Sequence, residues 1–94
     1  MNEKVYLTIL FDYYEKLLTE KDQECFKSYY FDNLSLGEIS NLINISRNAV
    51  HKRLKKIEEK LNYYEKILGL YQKEQKIMSL VKDESLKEKI KEIL

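Results

Sequence analysis

Apolar residues recur at three- and four-residue steps along most of the chain. From about Glu3 to Leu18, one helical face carries Tyr6, Leu10, Tyr13, Tyr14 and Leu17, with Leu7, Phe11 and Leu18 as a second stripe beside it. A helix apolar over so wide an arc must be covered on two sides. Val5 to Ile9 would suit a strand by propensity, but the chain offers no second strand to pair with it. Thr19, followed by Glu20, Lys21 and Asp22, reads as a cap with acids at the positive end of a second helix. That helix runs to about Phe31 and buries Phe26, Tyr29 and Tyr30. Asp32-Asn33 is turn chemistry. Ser35-Leu36-Gly37-Glu38 is a capping box that opens a short third helix, with Ile39, Leu42 and Ile43 on its inner side. Asn44 stops it, since Asn adopts the left-handed conformation that ends helices, and Ser46 caps the fourth helix.

The fourth helix is the long one. Neither Pro nor a loop cluster interrupts Arg47 to Val81, a run that would measure roughly 50 Å at about 1.5 Å per residue. A domain of this size has a radius of gyration of about 13 Å, so the helix either projects from the body or breaks. Gly69 is the candidate break, although the apolar seam stays in phase through it. Asp83 or Ser85 then caps a last helix with Leu86, Ile90, Ile93 and Leu94 on one face. The expected architecture is all-α and one domain, residues 1–94. A helix-turn-helix core spans residues 19–60, and a helical extension spans residues 61–94.

Two helices joined tightly at Asn44 make a helix-turn-helix. Ser40 is small where the pair approach, and Ile39, Ile43, Ile45, Val50 and Leu54 lock them together. Charge sharpens the picture. The total is only +1, but it is a cancellation. Residues 1–46 hold four Lys and eight acids, net −4. Residues 47–60 hold six Lys and Arg against Glu58 and Glu59, net +4, and residues 61–94 hold seven Lys and six acids, net +1. The basic excess therefore sits on the presumptive recognition helix, whose first turns enter the major groove in this motif. Arg47, Asn48, His51, Lys52 and Lys55 are the residues free to face nucleic acid there. Arg pairs with guanine and Asn with adenine in bidentate fashion, whereas Lys52, Lys55 and Lys56 suit phosphates.

The seam Val50, Leu54, Ile57, Leu61, Tyr64, Leu68 and Tyr71 alternates steps of four and three, a heptad pattern. Its first part packs the helix-turn-helix. Its later part, with Tyr63, Ile67 and Leu70 beside it, has more apolar surface than one short chain readily covers. Either helix one and the last helix cover it, or a second copy does. We expect a homodimer through Leu61, Tyr64, Ile67, Leu68 and Tyr71, because two-fold dimers suit paired half-sites. Catalysis is not expected: one His, one Cys and no Gly-rich phosphate loop leave no catalytic, cofactor or zinc set. Cys25 has no internal disulfide partner and reads as a buried helix residue in a reducing compartment. The apolar stretch from Val5 to Phe11 is far short of the roughly 20 residues of a bilayer span, so a cytoplasmic protein without membrane contact is expected.

The run Leu17-Leu18-Thr19-Glu20-Lys21, then Tyr29-Tyr30, Leu34 to Ser40, and Ile45 to His51 resembles the YlxM family of small bacterial helix-turn-helix proteins. Leu10 to Tyr14 and Lys56 to Glu65 fit it as well. More broadly, residues 19–61 resemble region 4 of sigma-70-type factors, through Glu38-Ile39, Ser46, Val50 and Arg53-Leu54. The resemblance implies a sigma region 4 fold and supports the five groove-facing residues named above. It also implies a regulatory role near the signal recognition particle pathway, from the neighbourhood of the family's genes. Double-stranded DNA is thus the expected partner. The alternative is the particle's GTPase or RNA, to which the acidic first half leaves room for a protein contact.

Overall fold

All helices but the fifth begin at a polar residue that can satisfy a free first-turn amide. In the computed structural model, which describes all of residues 1–94, Asn2 caps α1 (Glu3–Tyr14), whose end tightens into one 3-10 turn at Glu15–Leu17. Thr19 caps α2 (Glu20–Tyr30). Ser35 caps α3 (Leu36–Ile43), and the full box forms: Ser35 Oγ accepts from the Glu38 amide while the Glu38 carboxylate accepts from the Ser35 amide, each at 3.1 Å. Ser46 caps α4 (Arg47–Leu68), and Asp83 caps α6 (Glu84–Ile93). The chain has no strand, so Val5 to Ile9 is helical.

One core joins the first four helices. Leu7, Leu10, Phe11 and Tyr14 of α1 meet Cys25 and Phe26 of α2, Ile39 of α3, and Val50, Leu54, Ile57 and Leu61 of α4. Leu18 closes the α1–α2 corner. Phe11 and Phe26 stack with ring centroids 4.4 Å apart, and Phe26 continues the stack onto Tyr30 at 4.3 Å. Two side chains depart from the expected pattern. Leu17 lies in the 3-10 turn, whose tighter winding carries it out of phase into solvent. Leu42 is likewise exposed, on the outer side of α3. Cys25 is buried and free, and burial pushes its thiol pKa up, away from a reactive thiolate.

The long fourth helix does break. Gly69 adopts φ +61° and ψ +31°, the left-handed region, and α5 (Leu70–Leu80) starts at the next residue. A single left-handed residue redirects the chain while the apolar spacing continues through it, which is why the seam alone could not reveal the break. Gly69 has no side chain with which to cap α5. Tyr14, remote in sequence, and Glu65, four residues upstream, do so instead. Tyr14 Oη accepts from the Leu70 amide at 3.1 Å, and the Glu65 carboxylate accepts from the Tyr71 and Gln72 amides at 3.1 and 3.2 Å. Tyr14 Oη also donates to Glu65 Oε1 at 2.6 Å. Glu65 is the one buried charged residue, and its two oxygens sit where the positive end of α5 favours an anion. Burial, followed by the hydrogen bond to Glu65, pushes the Tyr14 phenol up to about 12.

Beyond Gly69 nothing is fully buried. Neither α5 nor α6 contributes a residue to the core. The molecule measures 49 × 24 × 23 Å, and its radius of gyration of 15.8 Å exceeds that of a compact chain of this length. The last two helices therefore form an arm on a four-helix body.

Candidate nucleic-acid interface

The turn between α3 and α4 is built by Asn44, held at φ +60° and ψ +44°. The amides of both Asn44 and Ile45 return to the Ser40 carbonyl, which closes the end of α3. The Ser46 hydroxyl accepts from the Ala49 amide at 3.1 Å and restarts the chain as α4. Ile39 and Val50 then bury across the joint. Apolar packing thus fixes one flank of α4 and leaves the opposite flank to solvent.

Arg47, Asn48, His51, Lys52 and Lys55 all lie on that exposed flank. They span two helical turns, as a segment entering a major groove requires. Their surroundings differ in ways the sequence did not signal. The Arg47 guanidinium folds back over the first turn of α3 at Gly37. A Cβ built on Gly37 would stand 2.8 Å from Arg47 Nη2, so the glycine clears the room that Arg47 occupies. Lys55 has a weak neighbour in Glu58, at 3.7 Å, and Glu58 also accepts from the Tyr30 hydroxyl at 3.1 Å. Burial, with Glu58 beside it, pushes the Tyr30 phenol well above its ordinary range. His51 and Lys55 border an open hollow of about 230 Å³ that α1 and α2 share through Lys4, Tyr29 and Tyr30.

A second group of cations was missed. On the flank of α4 nearest the start of α2, Asp22 meets Lys60 at 2.9 Å and Arg53 at 4.0 Å. Asp22 is the third residue of α2 and stands 38 positions from Lys60, so no local spacing links them. The net basicity of α4 is partly answered here, within the chain.

The dimer seam needs correction. Leu61 is fully buried in the core and is unavailable to a second copy. Tyr64 is half-buried against Tyr14, with its hydroxyl donating to the Leu17 carbonyl at 3.4 Å. Tyr71 packs edge-on against Tyr6, with centroids 5.6 Å apart, and lies near Tyr13. Helix α1 therefore covers these three, as the first of the two alternatives had it, while α6 covers none of them completely. Only Ile67 and Leu68 still face outward, 62% and 41% exposed. The break at Gly69 also removes the continuous helix on which a long two-stranded seam would depend.

No group of three His, Cys, Asp or Glu side chains converges as a metal site would require. No helix is long and apolar enough to cross a membrane.

Comparison with known proteins agrees with this geometry. A family model described as "Putative helix-turn-helix protein, YlxM / p13 like" matches residues 1–93. A UPF0122 protein of Caldanaerobacter subterraneus subsp. tengcongensis is 46% identical over 90 residues, covering 96% of this chain and 72% of the relative. One from Thermoanaerobacter sp. is 45% identical over 75 residues, covering 80% of this chain and 64% of the relative. One from Listeria welshimeri is 38% identical over 96 residues, covering 94% and 87%. The chain belongs to the UPF0122 family of YlxM/p13-like helix-turn-helix proteins.

Proposed function

We propose that the protein is a non-enzymatic, DNA-binding regulator of the cytoplasm that docks the first turns of α4 in the major groove. One observation carries this reading. Arg47, Asn48, His51, Lys52 and Lys55 stand together on the solvent side of a capped helix whose other side is locked into the core. Arg47 and Asn48 lead, where base edges are read, and Lys52 and Lys55 follow as phosphate contacts. Gly37 keeps Arg47 drawn over α3 in the free protein, and docking swings it outward.

A homodimer would present two such helices to paired half-sites. Its interface is the end of α4, where Ile67 and Leu68 remain open, and not the buried seam. A second reading keeps the fold but assigns it to the GTPase or RNA of the signal recognition particle. The exposed apolar residues of the arm, such as Leu80 and Ile93, support a protein contact of that kind.

The test is binding to mixed-sequence duplex DNA between about 50 and 200 mM salt. Replacing Lys52 and Lys55 by Ala weakens binding to every sequence and lowers the salt slope by about one per lysine. Absence of any salt-dependent duplex binding ends the DNA reading. Retention of the signal recognition particle after nuclease treatment then favours a protein partner.

A further inference from the structure

The flank of α4 beside its groove-facing residues carries a line of cations that shares only Lys52 with them. Lys52, Lys56 and Lys60 follow one another at four-residue steps, so their ammonium groups share one side of the helix. With Arg53, Asp22 and Ala49 they line a groove of about 340 Å³ between α4 and the start of α2. Asp22 engages Lys60 and Arg53, which fixes both against the groove wall. Neither Lys52 nor Lys56 has a carboxylate within 4.0 Å. Four cations thus face one open channel with a single acid among them. Ala49 contributes no bulk to the channel.

The channel continues. Lys56 and Lys60 also border a second hollow, of about 440 Å³, completed by Glu59, Tyr63 and Tyr64. Tyr64 is engaged with α1, as described above. Tyr63 is different: its residue is 60% exposed, the most open of the tyrosines named here. Its ring has one aromatic neighbour, Tyr64, edge-on at 6.2 Å. A large ring held at the end of a lysine line, with its face open, does nothing for the core.

From this arrangement we infer that the Lys52–Lys56–Lys60–Tyr63 flank is a second nucleic-acid site, which takes a single-stranded segment. Its phosphates follow the lysines and one unpaired base stacks on Tyr63. The chemistry fits at three points. A phosphodiester chain needs cations at repeated spacing, and single-strand sites pair such a groove with an aromatic platform. Lys52 to Tyr63 spans roughly 16 Å of helix at about 1.5 Å per residue, room for a short stretch of open strand. A duplex keeps its bases paired and offers Tyr63 no free face, so the site selects strands that are already open. Glu59 at the rim repels phosphate from the outer side and confines the strand to the lysine side.

This site shares Lys52 with the groove-facing set but adds Lys56, Lys60 and Tyr63, so a test made at Tyr63 separates the two. Fluorescence anisotropy is measured with labelled oligothymidine, oligouridine and a mixed-sequence duplex. Tyr63→Ala is expected to weaken both single strands about 5- to 100-fold, the loss of one stacked base, with duplex affinity unchanged. Tyr63→Phe keeps the ring and retains single-strand binding. Arg47→Ala with Asn48→Ala shows the reverse pattern, losing duplex and keeping the single strands. Tighter binding of oligouridine than oligothymidine would add a contact to the 2′-hydroxyl, and equal binding would reduce the site to stacking and phosphate. Both outcomes support the site. It is overturned if neither single strand binds at low salt, if Tyr63→Ala leaves single-strand affinity intact, or if Tyr63→Phe loses as much as Tyr63→Ala.

Discussion

Two turns in this protein hang on one left-handed residue each, and they are secured in different ways. At Asn44, between α3 and α4, the neighbours in sequence do the work. The Ser40 carbonyl takes the two turn amides, the Ser46 hydroxyl caps the next helix, and Ile39 and Val50 close over the joint. At Gly69, between α4 and α5, the cap residue has no side chain, and the cap is only partly local. The first three amides of α5 are satisfied by Tyr14 and Glu65, and Tyr14 lies 51 residues from Glu65 in the chain. The first turn is a local motif that later packs. The second is completed only once α1 has docked on α4 and Tyr14 reaches the Leu70 amide and Glu65. The α3–α4 end of the molecule is thus built locally, and the direction of the arm depends also on α1.

The comparison breaks most sharply at Glu65. Glu65→Ala leaves the Tyr14 hydroxyl and the Tyr71 and Gln72 amides without acceptors. At about 1–3 kcal/mol for each unsatisfied buried group, with some relief from entering water, the loss should be about 3 kcal/mol. Urea unfolding followed by circular dichroism measures it. A loss below about 1 kcal/mol would mean that the Gly69 turn forms without its side-chain cap.

Tyr14→Phe is the next step down. The Leu70 amide loses its acceptor and Glu65 one donor, a cost of about 2 kcal/mol, as for hydrogen bonds to charged groups. Coupling with Glu65→Gln in a double-mutant cycle should be clear, because the two share one network. The same phenol predicts an alkaline response. Its pKa rises from 10.0 unfolded to about 12 folded. The folded state therefore holds the proton more tightly. This stabilisation is complete below about pH 10 and is lost as pH climbs toward 12. Tyr30 and Tyr6 are raised as well, so the wild-type curve falls through their contributions too. Tyr14→Phe should flatten the decline over this window, and an unchanged slope would remove Tyr14 from it.

The contrast between the turns is also the contrast between what sequence could and could not reveal. Ser35 with Glu38, Asn44 and Ser46 all act within four residues of themselves, so the helix-turn-helix could be read residue by residue. Arg47, Asn48, His51, Lys52 and Lys55 followed as exposed, since the apolar pattern placed Val50 and Leu54 inward. Glu65 looked like any solvated helix acid, and its partners come from two other helices. Gly69 left two outcomes open because left-handed geometry at one residue does not disturb apolar spacing. Tyr64 and Tyr71 were assigned to a partner for the same reason. Periodicity identifies a covered face without saying which helix covers it, and α1 proved the nearer. The drawing of Arg47 over Gly37, and of Lys60 onto Asp22, required side-chain positions in three dimensions.

Gly69→Ala probes backbone conformation alone. A Cβ there would meet only the Glu65 carbonyl oxygen, at 3.8 Å, which is ordinary contact. The cost is then the left-handed backbone, about 1–2 kcal/mol for a residue with a side chain. The Glu65 and Tyr14 cap holds the turn in place, so the penalty should appear as lost stability without a change in helix content. A straightened α4–α5 rod would show instead as a larger hydrodynamic radius.

Asn44→Ala should have a smaller effect still, about 1 kcal/mol, because Asn bears the left-handed conformation more easily than Ala but less easily than Gly. Asn44→Gly is the sharper test. Glycine removes the residual strain at φ +60° but adds freedom to the unfolded chain, and the two nearly cancel. Stability should therefore change by less than about 1 kcal/mol in either direction. Duplex binding gives a second readout. If Ser40, Ser46 and the Ile39–Val50 contact hold α3 against α4 on their own, Asn44→Gly binds DNA as wild type does. A binding defect at unchanged stability would show that the stiffness of Asn44 itself sets the angle at which α4 meets the groove, and the turn would be less self-sufficient than its local hydrogen bonds suggest.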